Sequence, residues 1–401
     1  MPMPANTTTK ILRLAGLATA LFLASCATKP PQKVAPVAPT PAPAETIPEQ
    51  PQMLGLNNNI ALMFPIDAAN PDLRARGLEM DNAARLAVEL LGLNDVFLTT
   101  YNTGGEPELA RLAAERAIAD GNSAIIGPLT SANTQAVAPI AGRQGIPMIA
   151  LTNDSNIAQP NVYVFGRSIE NDMAELFDYL RRNDLRRVGI LAPQNLYGDR
   201  AVEQAEAQAG QFNLAITNIF RFSGDSAEVV AQIQEFANSM RRESFGPVPD
   251  FDALLIPAST FTMQTVLPGL IYAEIPVKDI QLAGLGIWAD PSILADQMMQ
   301  GAVFPDVDNN RREAFRQAYA ERYNSDPTRI ADLAFDAAAL LGTLIGQQNA
   351  NEAADIHNPE GFAGITGLFR LEEDGKVVRK LGMTQVDNGA FVQLEATEES
   401  F

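Results

Sequence analysis

The sequence predicts a two-lobed α/β protein in which each lobe is a doubly wound parallel sheet flanked by helices. Two observations support this prediction: short apolar runs alternate with helical patterns, and the alternation passes through two successive series along the chain. Strands and helices in strict alternation imply parallel strands joined by right-handed crossovers. The roughly 350 residues that follow the N-terminal segments are also too many for one small core and suit two lobes.

The first series predicts strands and helices between residues 60 and 151. In the first helix, apolar residues recur at three- and four-residue spacing, and Gly92 closes the helix. In the second helix, we expect Leu109, Leu112 and Ala113 to face the core. The predicted strands are 60–64, 96–100, 123–126 and 147–151, and the predicted helices are 73–91, 106–119 and 132–143.

The second series begins near Ser168 and predicts a second α/β lobe. Two later helices have no strong strand between them, and we assign them to the first lobe. A hairpin with an Asp374-Gly375 turn is predicted near the end of the chain, and we assign it to the second lobe. The predicted strands are 187–191, 214–220, 252–256 and 280–283, the helices are 172–182, 199–209, 225–240 and 260–272, the later helices are 311–323 and 328–345, and the hairpin is 366–379.

Residues 1–25 have the pattern of a lipoprotein signal peptide. Lys10 and Arg13 precede an apolar stretch of about eleven residues, which is too short to span a bilayer of roughly 30 Å as a helix. The stretch ends in Leu-Ala-Ser-Cys26, which resembles the lipobox of bacterial lipoproteins, and Cys26 is the only cysteine of the chain. The resemblance implies that Cys26 is lipidated and becomes the mature N-terminus. An ordinary leader with a chance cysteine, or a small buried thiol, is the alternative.

Residues 26–55 are predicted to form a proline-rich tether between the lipid anchor and the lobes. Repeated prolines favour extended polyproline geometry and prevent a regular helix, and at roughly 3 Å per residue the segment would reach several tens of ångströms. After the tether, we assign residues 56–167 with 306–350 to the first lobe, and residues 168–305 with 351–401 to the second lobe.

The charge balance and the single cysteine exclude several classes of partner and site. The formal net charge is −19 at pH 7, and it becomes −21 when Lys10 and Arg13 are removed with the leader. Because no basic stripe is present to meet phosphates, no nucleic acid is expected as a partner. Anionic lipid heads are disfavoured as a docking surface, except through the acyl anchor. One cysteine allows neither an intrachain disulfide nor a thiolate metal site.

The sequence does not favour an enzyme. His357 is the only histidine, and we expect it in an exposed loop. The sequence therefore lacks the histidines that a Ser-His-Asp triad or a histidine metal site would require. The glycine-rich phosphate loop, the dinucleotide-binding fingerprint and the nucleophile elbow are all absent. We therefore expect no catalytic residue, no metal site and no cofactor. The pairs Arg181-Arg182 and Arg186-Arg187 are expected at a solvated helix end, with contact to an acidic partner as the alternative.

Several motifs, in this order of elements, carry a family resemblance. They are IGPLTS at 126–131, API at 138–140, GIPMI at 145–149, VFGRS at 164–168 and NLYGD at 195–199. This set resembles the type I periplasmic binding proteins, which have the clamshell fold of branched-chain amino-acid receptors. A second set consists of ASTFTMQ at 258–264, LPGL at 267–270, GLGIW at 284–288 and GITGLFRLEEDGKVVR at 364–379. This set looks like the C-terminal lobe of lipoprotein activators of penicillin-binding proteins.

The second resemblance implies an outer-membrane lipoprotein that reaches a bifunctional peptidoglycan synthase and stimulates it. The best-known members of that family carry a helical-repeat domain before the clamshell, whereas this chain has the proline-rich tether at that place. The tether or the partner would then have to provide the reach across the periplasm.

The resemblance also implies a ligand site in the cleft between the lobes, where strand ends and helix N-termini suit a carboxylate. It implies Ser131, Thr152 and Tyr197 as candidate ligand contacts; the alternatives are that Ser131 caps its helix and that Tyr197 packs at the hinge. Trp288 is a further candidate contact, although a lone tryptophan is more often part of a core. An acid that would neutralise the ammonium of a bound amino acid is not evident, because Asp290 lies far along its loop.

These observations predict a periplasm-facing lipoprotein that binds and stimulates a peptidoglycan synthase by surface contact. Ala27, which follows the cysteine, is not the aspartate that typically retains lipoproteins at the inner membrane, and this favours the outer membrane in a diderm source. The alternative is a solute-binding receptor of an ABC importer for amino acids or related small ligands, with the ligand held in the cleft.

Overall fold

The computed structural model describes residues 57–242, 245–307, 309–349, 355–394 and 400–401. The predicted leader, Cys26 and the predicted tether lie outside these residues. Lipidation and the tether therefore stay predictions.

The first lobe is built on a parallel sheet that, within the described chain, has the strand order β2-β1-β3-β4-β5. Crossover helices join β1 to β2, β2 to β3 and β3 to β4, as the alternation of patterns predicts. The elements in chain order are β1 (Asn59–Phe64), α1 (Pro71–Leu90), β2 (Phe97–Asn102), α2 (Pro107–Ala119), β3 (Ala124–Ile126), α3 (Ser131–Gln144), β4 (Met148–Ala150) and β5 (Val162–Val164).

The chain then builds a second sheet and two further helices. These elements are α4 (Ile169–Arg182), β6 (Arg187–Pro193), α5 (Leu196–Ala209), β7 (Ala215–Phe222), α6 (Ser226–Ser239), β8 (Arg241–Arg242), β9 (Phe245–Pro247), β10 (Ala253–Leu255), α7 (Thr260–Tyr272), β11 (Gln281–Ala283), β12 (Val303–Asp306), α8 (Asn309–Tyr323) and α9 (Arg329–Asn349). The last elements are β13 (Phe362–Gly364), β14 (Gly367–Leu371), β15 (Val377–Lys380), β16 (Gly382–Asp387) and β17 (Ala390–Gln393).

The second sheet has the order β17-β16-β12-β11-β10-β6-β7 in the described part of the chain. Its strands are parallel from β12 to β7, whereas β16 and β17 add to the β12 edge in antiparallel orientation. The sequence patterns did not predict β12, β16 and β17, because these strands lie outside the regular alternation of strands and helices. The predicted fold of two α/β lobes with parallel sheets flanked by helices is confirmed.

The late helices α8 and α9 pack on the first lobe, as predicted from the absence of strands between them. Phe315 of α8 and Leu341 of α9 are buried in the same apolar cluster as Phe64 of β1 and Met80 of α1. By length and composition, α9 is the one helix of the described chain that could cross a membrane, but 67% of its most apolar stretch is buried inside the protein. It therefore serves as a core helix of the first lobe.

The predicted inward face of α2 is wrong for Leu109 and Leu112, whereas Ala113 is buried as predicted. Leu109 and Leu112 are 46% and 47% exposed, whereas Ala110, Ala114 and Ala117 are fully buried. Small side chains allow α2 to lie close against α3 and the sheet, and the leucines would have required a wider separation. The spacing of apolar residues alone did not distinguish the alanine face from the leucine face.

The C-terminal hairpin forms as predicted, but its position differs from the prediction. Strands β14 and β15 pair in antiparallel register and turn at Gly375, which has a φ of 84°. The hairpin was assigned to the second lobe, whereas Phe369, Leu371 and Val377 are buried in the core cluster of the first lobe. The turn of the hairpin also contacts β5, because the Val164 N–H donates to the Gly375 carbonyl at 2.9 Å.

We expect Phe369→Ala to destabilise the protein by about 3–5 kcal/mol, because it removes a buried aromatic ring and leaves a cavity. Phe369 packs edge-to-face on Phe165 with ring centroids 4.8 Å apart. Urea denaturation of the chain without its leader measures the free energy of unfolding. Phe97→Ala, on an exposed ring of β2, is the matched control and should change that free energy by less than about 0.5 kcal/mol. Equal losses in both variants would contradict the buried position of the hairpin.

Candidate functional site

A cavity of about 640 Å³ lies at the carboxyl ends of strands from both sheets. Apolar residues from both lobes line part of its wall, including Leu129, Leu151 and Ile287. The rest of the wall carries charged side chains of both signs, namely Arg76, Arg167, Arg329, Arg379, Asp172, Asp290, Asp306 and Asp332. A cavity of this size and mixed lining is within the range of small-molecule sites in proteins.

Ser131 and Thr152 form a hydroxyl pair beside the cavity. Their hydroxyl oxygens are 3.0 Å apart, and Thr152 lines the cavity whereas Ser131 does not. Thr130, not Ser131, caps α3, because its side chain accepts the Asn133 N–H. The capping role considered for Ser131 is therefore wrong, and Thr152 is the member of the pair that a cavity ligand could reach.

Tyr197 lines the cavity from the first turn of α5. The turn begins at Asn195, whose side chain accepts the Gly198 N–H at 2.9 Å. Burial, together with the nearby Asp172 carboxylate, raises the pKa of the Tyr197 phenol above its ordinary value. The hydroxyl consequently stays protonated at neutral pH and can donate a hydrogen bond.

Trp288 does not line the cavity, and its assignment as a ligand contact is wrong. The ring is fully buried in the core of the second lobe, where its Nε1–H donates to the Ala258 carbonyl at 3.1 Å. It packs over Gly284, where an added Cβ would lie 2.1 Å from the ring. Large side chains bury most area in a core, and the indole N–H finds its partner there. The cavity is instead lined by its neighbours Gly286, Ile287 and Ala289.

Asp306, at the end of β12, is held between two arginines from different parts of the chain. Arg167, which follows β5, donates from Nη1 to Oδ1 of Asp306 at 3.0 Å, and from Nε to Asp172 at 2.7 Å. Arg329, at the start of α9, donates from Nη2 to Oδ2 of Asp306 at 3.0 Å. Because α9 packs on the first lobe and β12 belongs to the second sheet, this network joins the two lobes across the cavity.

Asp332 is a second buried carboxylate in the cavity wall. Its Oδ2 accepts from Nε of Arg312 at 2.6 Å, whereas its Oδ1 has no hydrogen-bond partner among the described residues. Burial raises the pKa of Asp332 to about 6, because Arg312 and Arg329 offset only part of the loss of solvation. Asp172, whose Oδ2 accepts the Gly286 N–H at 2.7 Å, has a raised pKa for the same reason.

Arg379 of β15 reaches the cavity without an ion pair in the described chain. It is 4% exposed, its Nη2 donates to the Phe165 carbonyl at 3.2 Å, and its Nε has no hydrogen-bond partner. The guanidinium lies 4.7 Å from the ring centroid of Phe165 and 5.5 Å from that of Phe369. Burial lowers the pKa of Arg379 to about 10, so it remains charged at neutral pH.

The sequence analysis did not include most of the cavity's acids among the candidate ligand contacts, although it predicted the helices that carry Asp172 and Asp332. Asp290 does line the cavity, and its Oδ1 accepts the Ser292 N–H at 2.8 Å. Asp172, Asp306 and Asp332 lie on α4, β12 and α9, far apart in the sequence. The sequence held a local signal for the Arg167–Asp172 pair, because Asp172 lies in the first turn of a helix just after Arg167. The ion pairs of Asp306 and Asp332 could not be predicted in this way, because they join residues that are far apart in the sequence.

His357 is half-buried and not in the exposed loop that was expected. Its Nε2 lies 2.9 Å from the Tyr163 hydroxyl, and the two rings are tilted against each other. Arg181 and Arg182 pair with Asp178, and Arg187 pairs with Asp252, at the partly solvated start of the second sheet. No group of three or more potential metal ligands occurs among the described residues.

A family model covers most of the chain, including the cavity. This model, described as Periplasmic binding protein, matches residues 73–390. The chain belongs to the periplasmic binding protein family. Membership confirms the resemblance that the sequence motifs indicate. No curated protein sequence matches the chain at a significant level.

Solved structures of periplasmic binding proteins share this fold. The C-domain of LpoA (YraM) from Haemophilus influenzae, a regulator of PBP1A, has a TM-score of 0.65 at 19% identity, over 84% of this chain and 100% of that chain. LivJ from Streptococcus pneumoniae is a branched-chain amino acid transporter substrate binding protein in complex with isoleucine. It has a TM-score of 0.58 at 18% identity, over 85% of this chain and 99% of that chain. The leucine binding protein LivK from Thermotoga maritima has a TM-score of 0.58 at 21% identity, over 84% of this chain and 98% of that chain.

The matching family is one of binding proteins, and the three similar structures are binding or regulatory proteins. The structures include one regulator of PBP1A, one substrate binding protein of a branched-chain amino acid transporter and one leucine binding protein. At these sequence identities the likeness shows only the fold. The choice between a regulator and a solute receptor therefore has to rest on the residues of the cavity.

We expect the titration of Asp332 to appear in the stability of the protein. Its pKa is about 6 in the folded state against an ordinary pKa of 3.8 for an aspartate, so the folded state binds more protons than the unfolded state between these pH values. The wild type should therefore lose stability relative to Asp332→Asn as the pH rises from about 4 to about 6, by up to about 3 kcal/mol. Urea denaturation of both proteins across this range measures the difference, and Asp184→Asn, on an exposed carboxylate, is the matched control. Parallel pH profiles for Asp332→Asn and the wild type would contradict the burial of this carboxylate.

Proposed function

We propose that this protein is a periplasm-facing lipoprotein, anchored in the outer membrane through Cys26, that binds a peptidoglycan synthase and stimulates it. The mechanism is contact: the two lobes present a surface that binds the active form of the synthase more tightly than the resting form. By linkage, only such a difference in affinity can shift the synthase towards activity.

The observation that carries this proposal is the pairing of the carboxylates in the cavity. Asp172, Asp306 and Asp332 each accept a hydrogen bond from an arginine of the same chain. A receptor for free amino acids has to offer a carboxylate to the ligand ammonium, because an unpaired buried charge is strongly unfavourable. Of the described acids in the cavity wall, Asp290 alone has no arginine partner. Most carboxylates of this cavity are therefore already neutralised by arginines of the same chain.

The link between the lobes supports the same proposal. The Arg329–Asp306 contact at 3.0 Å joins a first-lobe helix to a second-lobe strand through a side chain that is 1% exposed. Separating such a buried pair would leave uncompensated charges. A fixed orientation of the lobes suits a protein that presents a surface, whereas an importer's receptor opens and closes around its ligand. The shared fold with the C-domain of LpoA, itself a regulator of PBP1A, is in keeping with this proposal.

We expect the mature chain carrying Cys26→Ser to stimulate one bifunctional peptidoglycan synthase of the same cell in a saturable manner. Glycan polymerisation and peptide crosslinking are measured with increasing amounts of the protein. Heat-unfolded protein is the control and should give no stimulation, because the effect requires a folded surface. Absence of both binding and stimulation with every synthase of the cell would refute the proposal.

A second candidate function is a solute-binding receptor for amino acids or related small ligands. It is favoured by the unpartnered polar atoms in the wall of the 640 Å³ cavity, namely Nε of Arg379 and Oδ1 of Asp332. Buried polar atoms are generally hydrogen-bonded, so a ligand with groups of both signs would complete them.

The two candidates give different results in a thermal-unfolding titration with leucine and isoleucine. Under the regulator proposal, we expect no saturable rise in the unfolding temperature up to millimolar ligand. A saturable rise that disappears in Thr152→Val would instead favour the receptor, because this variant keeps the side-chain shape and removes the hydroxyl that lines the cavity. Ser123→Ala removes a hydroxyl outside the cavity and is the matched control.

A further inference from the structure

Arg379 of the cavity wall is a buried cation to which no described carboxylate is hydrogen-bonded. It is 4% exposed, and its Nη2 donates to the Phe165 carbonyl at 3.2 Å, whereas its Nε has no partner among the described residues. Buried polar groups are generally hydrogen-bonded, and a buried charge without a counter-charge is strongly unfavourable. An anion in the cavity would supply both the missing acceptor and the counter-charge.

The nearby carboxylate of Asp336 does not fill this role. Asp336 is 2% exposed, and its oxygens accept the Ile365 N–H at 2.9 Å, the Thr366 N–H at 2.8 Å and the Thr366 hydroxyl. Burial lowers the pKa of Arg379 to about 10, and the charge of Asp336 offsets only part of this effect. The loss of solvation at Arg379 is therefore only partly compensated within the described chain.

Arg379 is also held in a fixed position. Its backbone N–H donates to Oδ1 of Asn171 at 2.9 Å, and its carbonyl accepts from Nδ2 of Asn171 at 2.6 Å. Its guanidinium lies 4.7 Å from the ring centroid of Phe165 and 5.5 Å from that of Phe369. A side chain that is already ordered loses little conformational entropy when a ligand binds, so Arg379 is preorganised for an anion.

The other charges of the wall favour an anion over a zwitterion. Asp172, Asp306 and Asp332 each accept a hydrogen bond from an arginine, and the fourth acid, Asp290, is exposed to solvent. Arg76 of the wall is exposed too, and it has no ion pair among the described residues. The ammonium group of a ligand would therefore find only a solvent-exposed partner, whereas a carboxylate would find a buried one.

Helix N-termini and apolar side chains complete the wall. Helices α4, α5 and α9 each place a residue of their first turn there, namely Ile169, Tyr197 and Ile330. The N–H groups of a first helical turn carry a partial positive charge, which favours an anion. Leu129 from the first lobe and Ile287 from the second add apolar surface. The wall thus suits a carboxylate that is attached to an apolar body.

We propose that the cavity binds a small organic acid, with its carboxylate on the guanidinium of Arg379 and its apolar body on the apolar part of the wall. The planar guanidinium matches the geometry of a carboxylate. The ligand has no ammonium group, which distinguishes it from the amino acids of the second candidate function. Its contact with Arg379 also differs from the contact with Ser131 and Thr152 that the family resemblance implies. The inference goes beyond the proposed function, because binding of an acid and stimulation of a synthase are measured separately.

The first test compares ligands that differ only in charge. Isocaproate is leucine without its ammonium group, and isocaproamide is the neutral amide of the same acid. We expect isocaproate to raise the unfolding temperature of the mature Cys26→Ser chain in a saturable manner at neutral pH and constant ionic strength. Leucine and isocaproamide should bind at least tenfold more weakly, because the first brings an unpaired ammonium and the second has no charge for Arg379. Phenylacetate and its amide form a second pair with a different apolar body.

The second test changes the arginine. Arg379→Met keeps much of the apolar stem and should weaken isocaproate binding at least tenfold, so that the acid no longer binds better than the amide. Arg379→Lys keeps the charge but loses the planar fork, and it should bind the acid more weakly while still preferring it to the amide. Arg370→Met, on the neighbouring strand of the hairpin and outside the cavity wall, is the matched control and should bind as the wild type does. Thermal unfolding without ligand verifies that each variant is folded, and the ligand pairs on the wild type decide the proposal if Arg379→Met does not fold.

Three results would overturn the inference. The first is that neither acid binds saturably up to millimolar concentration. The second is that leucine binds as tightly as isocaproate, which would favour the amino-acid receptor. The third is that acid binding is lost in Thr152→Val but kept in the Arg379 variants, which would place the carboxylate at the hydroxyl pair. Stimulation of a synthase is measured on the same protein without ligand, so a failure of the proposed function is seen independently of all three.

Discussion

The arrangement of the two lobes depends on the carboxylate of Asp306. It is 1% exposed and lies between Arg167, which leads out of the first sheet, and Arg329, which begins a helix of the first lobe. Removing one partner of a buried carboxylate is strongly destabilising, because it leaves an uncompensated charge. The end of β12 is therefore tied to the first lobe, and the width of the cavity follows from this contact.

The C-terminal hairpin adds a second tie through Arg379. Its backbone exchanges two hydrogen bonds with the side chain of Asn171 on α4, at 2.9 and 2.6 Å, while its side chain lies between Phe165 and Phe369 in the first-lobe core. One residue thus contacts the second lobe through its backbone and the first lobe through its guanidinium. The hairpin belongs to neither sheet and packs where the two lobes meet.

Charge is distributed in an unusual way for a receptor of amino acids. Most charges of the cavity neutralise one another inside the protein. This distribution is the reason for proposing that the synthase is recognised by contact with the lobes, and that the cavity mainly holds the lobes in position. The remaining unpartnered atoms, Nε of Arg379 and Oδ1 of Asp332, keep a small ligand as the second candidate.

The sequence by itself determined the features that depend on neighbours along the chain. Helices and strands such as Pro71–Leu90 and Arg187–Pro193, the Gly375 turn and the family motifs follow from spacing, capping and backbone conformation, and they were predictable. Tertiary structure alone decided which face of α2 is buried, the core position of Trp288, the side on which the hairpin packs and the meeting of Asp306 with Arg329. Each of these depends on contacts between residues far apart in the sequence, and an apolar or charged side chain carries no local information about which distant surface will bury it.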